Sequence, residues 1–257
     1  FELDMQHLVV NTLQVKSAPL TWTEVLSGSA KYLFAAGGEN GGVNDAFLVQ
    51  YFALGGKLSD TEGRVTLERA PLRQVLEFYQ QGAERGIIPP TAASLKNAEE
   101  VWPIYLSAKV GLANVSARRY LAERSLLKNS TFAAIPTRTG ASLTVARGWG
   151  LVILAQQQER KVAAARVLEW LLARDNQAAW SKAANRLPAR RSALTFNAAD
   201  GSYEQFADKL LNSAQPAPSG SLYAQVARAI QAAAQDVLAG KTTPAEAADK
   251  ALLEVSR

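Results

Sequence analysis

Polar and aromatic side chains able to grip a small molecule fall at a few junctions in this chain. Trp149 stands between Gly148 and Gly150, where two β-rich apolar runs, Thr144–Ala146 and Leu151–Leu154, are interrupted. Glycine inside a strand pattern marks a bulge, or a place where something comes close to the backbone. Two readings of Trp149 stand at this point: an indole face presented to a ligand, or a plug between packed layers. Asp4, Asn44, Asp45, Ser116 and Tyr120 also fall at strand ends or helix starts, where α/β folds place ligands. Such a set suits sugars, because an aromatic face packs on the C–H face of the ring while carboxylates and amides take its hydroxyls. Arg118, Arg119 and Arg147 keep open an anionic ligand, such as a glycerol phosphate or an acidic sugar, since guanidinium pairs well with phosphate and carboxylate.

No catalytic constellation emerges. His7 is the only histidine and lies in an apolar strand pattern, which reads as a structural residue. The Gly-x-Ser-x-Gly elbow is missing, as are His-Glu-x-x-His and the Asp-rich calcium loop. Gly240-Lys-Thr242 resembles the end of a phosphate loop, but Gln235 occupies the required glycine position and the motif follows a helix pattern. Glu99 and Glu100 are adjacent, so on a helix they point about 100° apart and read as a solvated face. The remaining enzymatic reading is a glycoside hydrolase with Asp4 and Asp45 as its carboxylate pair; an interaction module that binds no small molecule is a third.

Composition narrows the classes further. At 257 residues with 48% apolar and 20% charged content, the chain is globular and fits one large domain or two lobes. Its net charge of +5 is spread along the sequence, and Arg118-Arg119 and Arg190-Arg191 are pairs rather than the basic blocks of a nucleic-acid binder. No apolar run approaches the roughly 18–20 residues of a membrane span. With no cysteine, disulfides, thiolate metal sites and cysteine nucleophiles are excluded, and neither a metal nor a cofactor is expected.

The elements that must position these residues alternate between strand and helix up to Leu154. Leu3–Val10, Lys31–Ala35, Val110–Asn114 and Phe132–Ile135 read as strands. Thr21 and Glu24 form a capping box. The loop Gly37–Gly42 feeds a helix over Asn44–Leu54 that Gly55-Gly56 ends. Leu72, Val75, Leu76 and Tyr79 repeat at helical spacing, another helix covers Ala98–Ser107, and Ser116 stands where an N-cap would for Ala117–Glu123. Beyond Leu154 helices dominate. Val162, Ala165, Leu168 and Leu172 form one stripe, with Trp170 expected in the core beside it; Trp22 and Trp180 also read as structural. Tyr203–Leu211 is helical, Gln215–Ser221 reads as a loop, and Leu222 to Val237 stripe a long helix. Thr243-Pro-Ala-Glu246 caps the last helix, which runs to about Val255. The pattern predicts an α/β fold with its sheets covered on both faces.

In this order the motifs resemble the extracellular (periplasmic) solute-binding proteins of bacterial ABC transporters, in the carbohydrate-binding group that includes maltose- and glycerol-3-phosphate-binding proteins. The pieces carrying the resemblance are Phe1-Glu-Leu-Asp4 through Asn11, Pro19-Leu-Thr-Trp22 with Glu24, Gly55-Gly56, Val110–Asn114, Pro136-Thr137, Gly148-Trp-Gly150, Leu187-Pro188, and Gly240-Lys241 with Glu246-Ala247. The resemblance implies a periplasmic-binding-protein-like fold, two α/β lobes joined at a hinge that close over a ligand. It implies a crossing strand at residues 1–7, a C-terminal lobe built from 8–145 and 200–257, and a returning part of the N-terminal lobe at 146–199. By position it carries a ligand site over to Asp4, Asn44, Asp45, Ser116, Arg118, Gly148, Trp149 and Tyr223, the last in a loop that starts at Ser219.

Members of that family carry about 100 further residues ahead of the equivalent of Phe1, the size of a small domain, including a signal peptide and the first half of the N-terminal lobe. If that part is absent, the returning segment is expected to expose a sheet edge and apolar faces. The helix after Trp22 is also about two to three turns shorter than the family's. The implied function is capture of a sugar or oligosaccharide outside the membrane for import, with an anionic solute as the alternative. The implied partners are the solute, an ABC-transporter permease and the N-terminal segment, and the implied location is periplasmic or extracellular, with a lipoprotein anchor as an option for the full-length form.

Overall fold

The computed structural model describes residues 1–37, 44–196, 202–218 and 221–256. Residues 38–42 of the expected glycine loop, and Ser219 of the late loop, lie outside them.

The fold is organised on β1 (Glu2–Asn11). Its first half pairs antiparallel with β5 (Thr144–Trp149), setting Glu2 opposite Trp149, Leu3 opposite Gly148 and Asp4 opposite Arg147. The same residues Glu2 and Leu3 also pair with β6 (Leu187–Pro188), which must therefore lie on the other edge. The second half of β1 pairs with β3 (Leu112–Ser116) from Gln6 to Val10, and with β4 (Ser130–Ala133) from Leu8 to Asn11. A parallel β2 (Tyr32–Leu33) extends the sheet beyond β3, and a parallel β7 (Ala214–Pro216) extends it beyond β5. One strand thus serves two different sets of neighbours along its length. From His7 to Asn11 every residue of β1 is buried, as expected of a strand covered on both faces.

Helices supply that cover. Asn44 caps α2 (Asp45–Ala53), its side chain accepting from the Ala46 amide. The box read at Thr21 and Glu24 caps α1 (Trp22–Ser27), and its counterpart at Thr243 and Glu246 caps α11 (Pro244–Val255). In α3 (Arg69–Glu84) the stripe Leu72, Val75, Leu76 and Tyr79 is fully buried. It packs against α11 and α10 (Ser221–Leu238). Then come α4 (Ala98–Leu106) and α5 (Ala117–Glu123), the latter capped by Ser116 as its spacing implies. The rest are α6 (Gln158–Leu171), α7 (Arg174–Ala184), α8 (Arg191–Phe196) and α9 (Ser202–Leu211). Trp22 is buried, stacked on Phe78 at 4.7 Å, and donates from Nε1 to Gln50. Trp180 is half-buried against the Phe1 ring.

His7 is the structural residue its setting suggested. It is fully buried, its Nδ1 3.0 Å from the Leu8 carbonyl and its Nε2 3.1 Å from the Tyr203 hydroxyl. A carbonyl only accepts, so Nδ1 carries the proton and Nε2 accepts from Tyr203. Burial pulls its pKa down to about 4. In the unfolded chain His7 titrates near 6.5, so between those values only the unfolded state takes up the proton. The stability His7 contributes is therefore complete above about pH 6.5 and is lost as pH falls to about 4, a decline of about 3 kcal/mol. Asp4, whose burial raises its pKa, works in the opposite direction. Denaturant unfolding of the wild type and of His7→Gln across this range isolates the effect, with the variant expected to lack the decline.

Three sequence expectations need correction. Thr144–Ala146 and Leu151–Leu154 are not two strands: β5 is one strand that runs through Gly148 and stops at Trp149, and residues 151–154 form no regular structure. The register puts Glu2 opposite Trp149, so no residue of β1 remains to pair beyond that point. Gln215 and Pro216, the start of the segment read as loop, belong to β7, with Pro216 tolerated because the strand sits at the sheet edge. Trp170 is not core. It is 64% exposed, and no residue of α6 is buried, because helical spacing defines an apolar stripe without supplying anything to cover it.

Candidate functional site

The site is built where β1, β5 and the starts of α2 and α5 converge. Asp4 and Arg147 face one another across the β1–β5 ladder, and directly opposed residues project from the same face of a sheet. The Asp4 carboxylate accepts backbone amides from Met5 and Arg118, each at 3.0 Å, so it also ties β1 to the first turn of α5. Burial raises the Asp4 pKa and Glu2 adds to that, while the two amides and Arg147 oppose them.

Arg147 reaches in the other direction, to α2. Its Nη1 and Nη2 each meet one oxygen of Asp45, a bidentate pairing. The Asp45 side chain is 7% exposed and that of Arg147 is 50% exposed, so the acid is held inside while half of the base faces solvent. Tyr223, near the start of α10, lies within electrostatic reach of Arg147.

Trp149 lies two residues beyond Arg147 on β5 and so projects from the same face. It is 69% exposed, which removes the reading of an indole plugging the core. At Gly148 a Cβ would sit 3.2 Å from the Glu2 carbonyl, a tight contact that β1 would have to yield a few tenths of an ångström to admit. What comes close to this glycine is β1 itself. At the other end of β5, Thr144 does what the ladder no longer can. Its hydroxyl accepts from the Gln6 amide at 3.1 Å and donates to the Gln6 carbonyl at 2.6 Å, fixing β5 where it leaves β1 for β7.

Other candidates are already engaged. Ser116 Oγ accepts from the Arg119 amide and keeps its own proton to donate. Asn44 spends its carbonyl on the cap of α2 and keeps its NH2. Tyr120 is buried and stacked on Tyr203 at 4.8 Å, so the structure assigns it to the aromatic core around His7 rather than to a ligand. Arg119 is bound by Glu99 and Glu123. Of the three arginines that suggested an anionic ligand, two are therefore neutralised by acids. Arg118 alone, exposed on α5, makes no ion pair among the described residues. Glu2 is paired with Arg186 at 3.3 Å. The charges around Asp4 thus cancel almost pairwise, and what remains is a nearly neutral surface of hydrogen-bonding groups beside an open indole.

Sequence reasoning did not find the Arg147–Asp45 lock or the Thr144 staple. The partners are 102 and 138 positions apart, and no local pattern signals either. No group of acidic residues and histidines able to hold a metal occurs among the described residues. Nor is any described helix long and apolar enough to cross a membrane.

The fold recurs in solved structures. A cyclic α-maltosyl-1,6-maltose binding protein from Arthrobacter globiformis is similar with a TM-score of 0.80 at 18% identity, over 99% of this chain and 70% of its own. Maltose-bound MalE3 of T. maritima gives 0.79 at 18% identity, over 99% and 71%. An ABC transporter solute-binding protein from Thermotoga lettingae, bound with α-D-tagatose, gives 0.78 at 20% identity, over 99% and 70%. Comparison with curated protein sequences returns no match. Residues 4–205 match the model of the bacterial extracellular solute-binding proteins, and the chain belongs to that family.

Proposed function

We propose that the protein captures a neutral sugar or oligosaccharide outside the membrane and delivers it, chemically unchanged, to the permease of an ABC transporter. The observation that carries this reading is the exposed Trp149 on the same sheet face as the Asp4–Arg147–Asp45 cluster. The indole would stack on the sugar ring while Asp4, Asn44, Asp45, Ser116 and the Arg118 backbone region take its hydroxyls, with Gly148 holding Trp149 close to β1 and Tyr223 closing the far edge. Relatives of the same fold bound to maltose and tagatose support the ligand class. The near-cancellation of charge favours a neutral solute over a glycerol phosphate.

The division into lobes follows the same logic. Residues 1–7 form the crossing strand, 8–145 and 200–257 one lobe, and 146–199 part of the other; the change of partners midway along β1 supports a hinge there. Hydrolysis by an Asp4–Asp45 pair is disfavoured. Asp45 has both oxygens on the Arg147 guanidinium and is nearly enclosed, so the pair lacks a second carboxylate free to work as a general base or a nucleophile.

Calorimetric titration with maltose, maltotriose and glycerol 3-phosphate, at low and at 0.5 M salt (a Debye length of about 4 Å), tests the reading. A neutral sugar should bind with little salt dependence and be recovered intact. Binding of glycerol phosphate alone, weakened by salt, would establish the anionic alternative, and turnover would establish an enzyme.

A further inference from the structure

The net charge of +5 is spread along the sequence, but the fold gathers most of it at one end of the sheet, remote from Asp4. Val10 of β1 stands opposite Leu112 at the start of β3, Asn11 opposite Ser130 at the start of β4, and Leu112 beside Tyr32 at the start of β2. Four connections therefore meet there, residues 12–18, 27–31, 106–111 and 125–129. Backbone bonds knit them together, from the Thr12 amide to the Asn129 carbonyl at 2.9 Å and from the Gly111 amide to the Lys31 carbonyl at 3.1 Å. Each connection carries one lysine (Lys16, Lys31, Lys109 or Lys128), and none carries a carboxylate, an arginine or an aromatic ring. All four lysines are exposed. The lysine ion pairs of the described residues are those of Lys241 and Lys250 with Asp236, so these four have none. Three of the connections also present a leucine to solvent: Leu13 is 77% exposed, Leu126 68% and Leu106 44%.

A single loop lysine or an exposed leucine is ordinary surface. Here they recur together in adjoining loops, and the bordering carboxylates are already engaged. Glu24 accepts the Leu20 and Thr21 amides, Glu123 holds Arg119 and Glu204 holds Arg124, while Glu84 has Arg85 beside it in the chain. We propose that this end of the sheet is a docking surface for an anionic lipid bilayer. The lysines meet the headgroup phosphates, and the leucines enter the boundary between headgroups and acyl chains. A bilayer fits better than an acidic protein, because protein interfaces favour arginine and aromatic residues and are poor in lysine. A compact ammonium on a flexible stem also suits a mobile array of phosphates, which offers no fixed geometry to a planar fork. Asp4 lies about 23 Å back along β1 from Asn11 at the rise of an extended strand. The cluster at Asp4 therefore stays open to solvent while this end is docked, and the proposal does not depend on which solute the protein carries.

The test is co-sedimentation of the protein with vesicles of phosphatidylcholine alone and of phosphatidylcholine with an equal part of phosphatidylglycerol. Binding to the mixed vesicles should be at least about tenfold tighter, as expected where several lysines face an anionic surface. It should disappear at about 0.5 M salt, where the Debye length falls to about 4 Å. Each lysine near such a surface is worth about fivefold in affinity, so Lys16→Gln with Lys128→Gln should weaken binding about 25-fold. Leu13→Ser with Leu126→Ser should weaken it at least about tenfold through lost apolar burial. Neither pair should move the unfolding midpoint, since all four side chains are exposed. Three results would overturn the proposal. One is equal binding, or none, to the two kinds of vesicle. Another is wild-type affinity in the lysine pair. The third is binding to soluble polyglutamate as tight as to vesicles and indifferent to the leucine pair, which would make an acidic protein surface the partner.

Discussion

Replacing Trp149 with alanine is expected to weaken sugar binding by about 1.5–3 kcal/mol, or roughly 10- to 150-fold in Kd, the loss of a well-buried aromatic contact. The same change should leave folding stability within about 0.5 kcal/mol, as for surface substitutions away from special features, because the indole is 69% exposed when no ligand covers it. The split between the two readouts is the informative part. A core tryptophan would lose stability first and binding only as a consequence. Titration calorimetry and denaturant unfolding on the same preparation separate them, and wild-type affinity in Trp149→Ala would remove the residue from the site.

The second large effect is expected at Arg147. Asp45 is nearly enclosed and is held through both oxygens by this one guanidinium. Arg147→Gln leaves that carboxylate buried without its counter-charge, which should cost roughly 3 kcal/mol of stability, the lower end of the range for breaking a buried ion pair. The lower end applies because half of Arg147 already faces water. Removing both charges, as in Asp45→Asn with Arg147→Gln, should recover most of the stability, since the cost lies in the stranded charge. Solute affinity should not recover in the double variant, because the Arg147 guanidinium that faces solvent beside Trp149 is still missing. Unfolding curves of the two single variants and the double variant close the cycle. A single-variant loss under about 0.5 kcal/mol would be typical of an exposed pair and would mean that Arg147 does not position Asp45.

Much of this architecture could be read from local chemistry. The capping boxes at Thr21 and Thr243 and the N-caps at Asn44 and Ser116 all form as their spacing implies. The α3 stripe is buried as its periodicity requires. Each of these depends on neighbours within a turn or two. The misreadings share the opposite property. Leu151–Leu154 has the composition of a strand, but a strand is defined by its partner, and β1 offers none beyond Glu2. Trp170 sits on a well-formed apolar helix, and periodicity says which residues share a side without saying what packs there. Gln215-Pro-Ala-Pro looks like loop until β5 offers it an edge to pair with.

The site divides the same way. Asp4, Asp45, Ser116 and Trp149 could be picked out because each lies at the end of a recognisable element. That Asp4 and Arg147 would be cross-strand neighbours, and that Arg147 would close on Asp45, follows from registers set by the whole sheet.

The most direct test of the central claim is an NMR titration of the five tryptophan indole N–H resonances with maltotriose. Trp22 and Trp102 are buried and donate to Gln50 and Glu123, Trp180 packs on Phe1, and Trp170 lies on α6, which packs against α7. Sugar capture at the proposed site should shift the Trp149 resonance in a saturable manner and leave the other four nearly still. A sugar that binds while Trp149 stays unperturbed would place the site elsewhere and contradict the account.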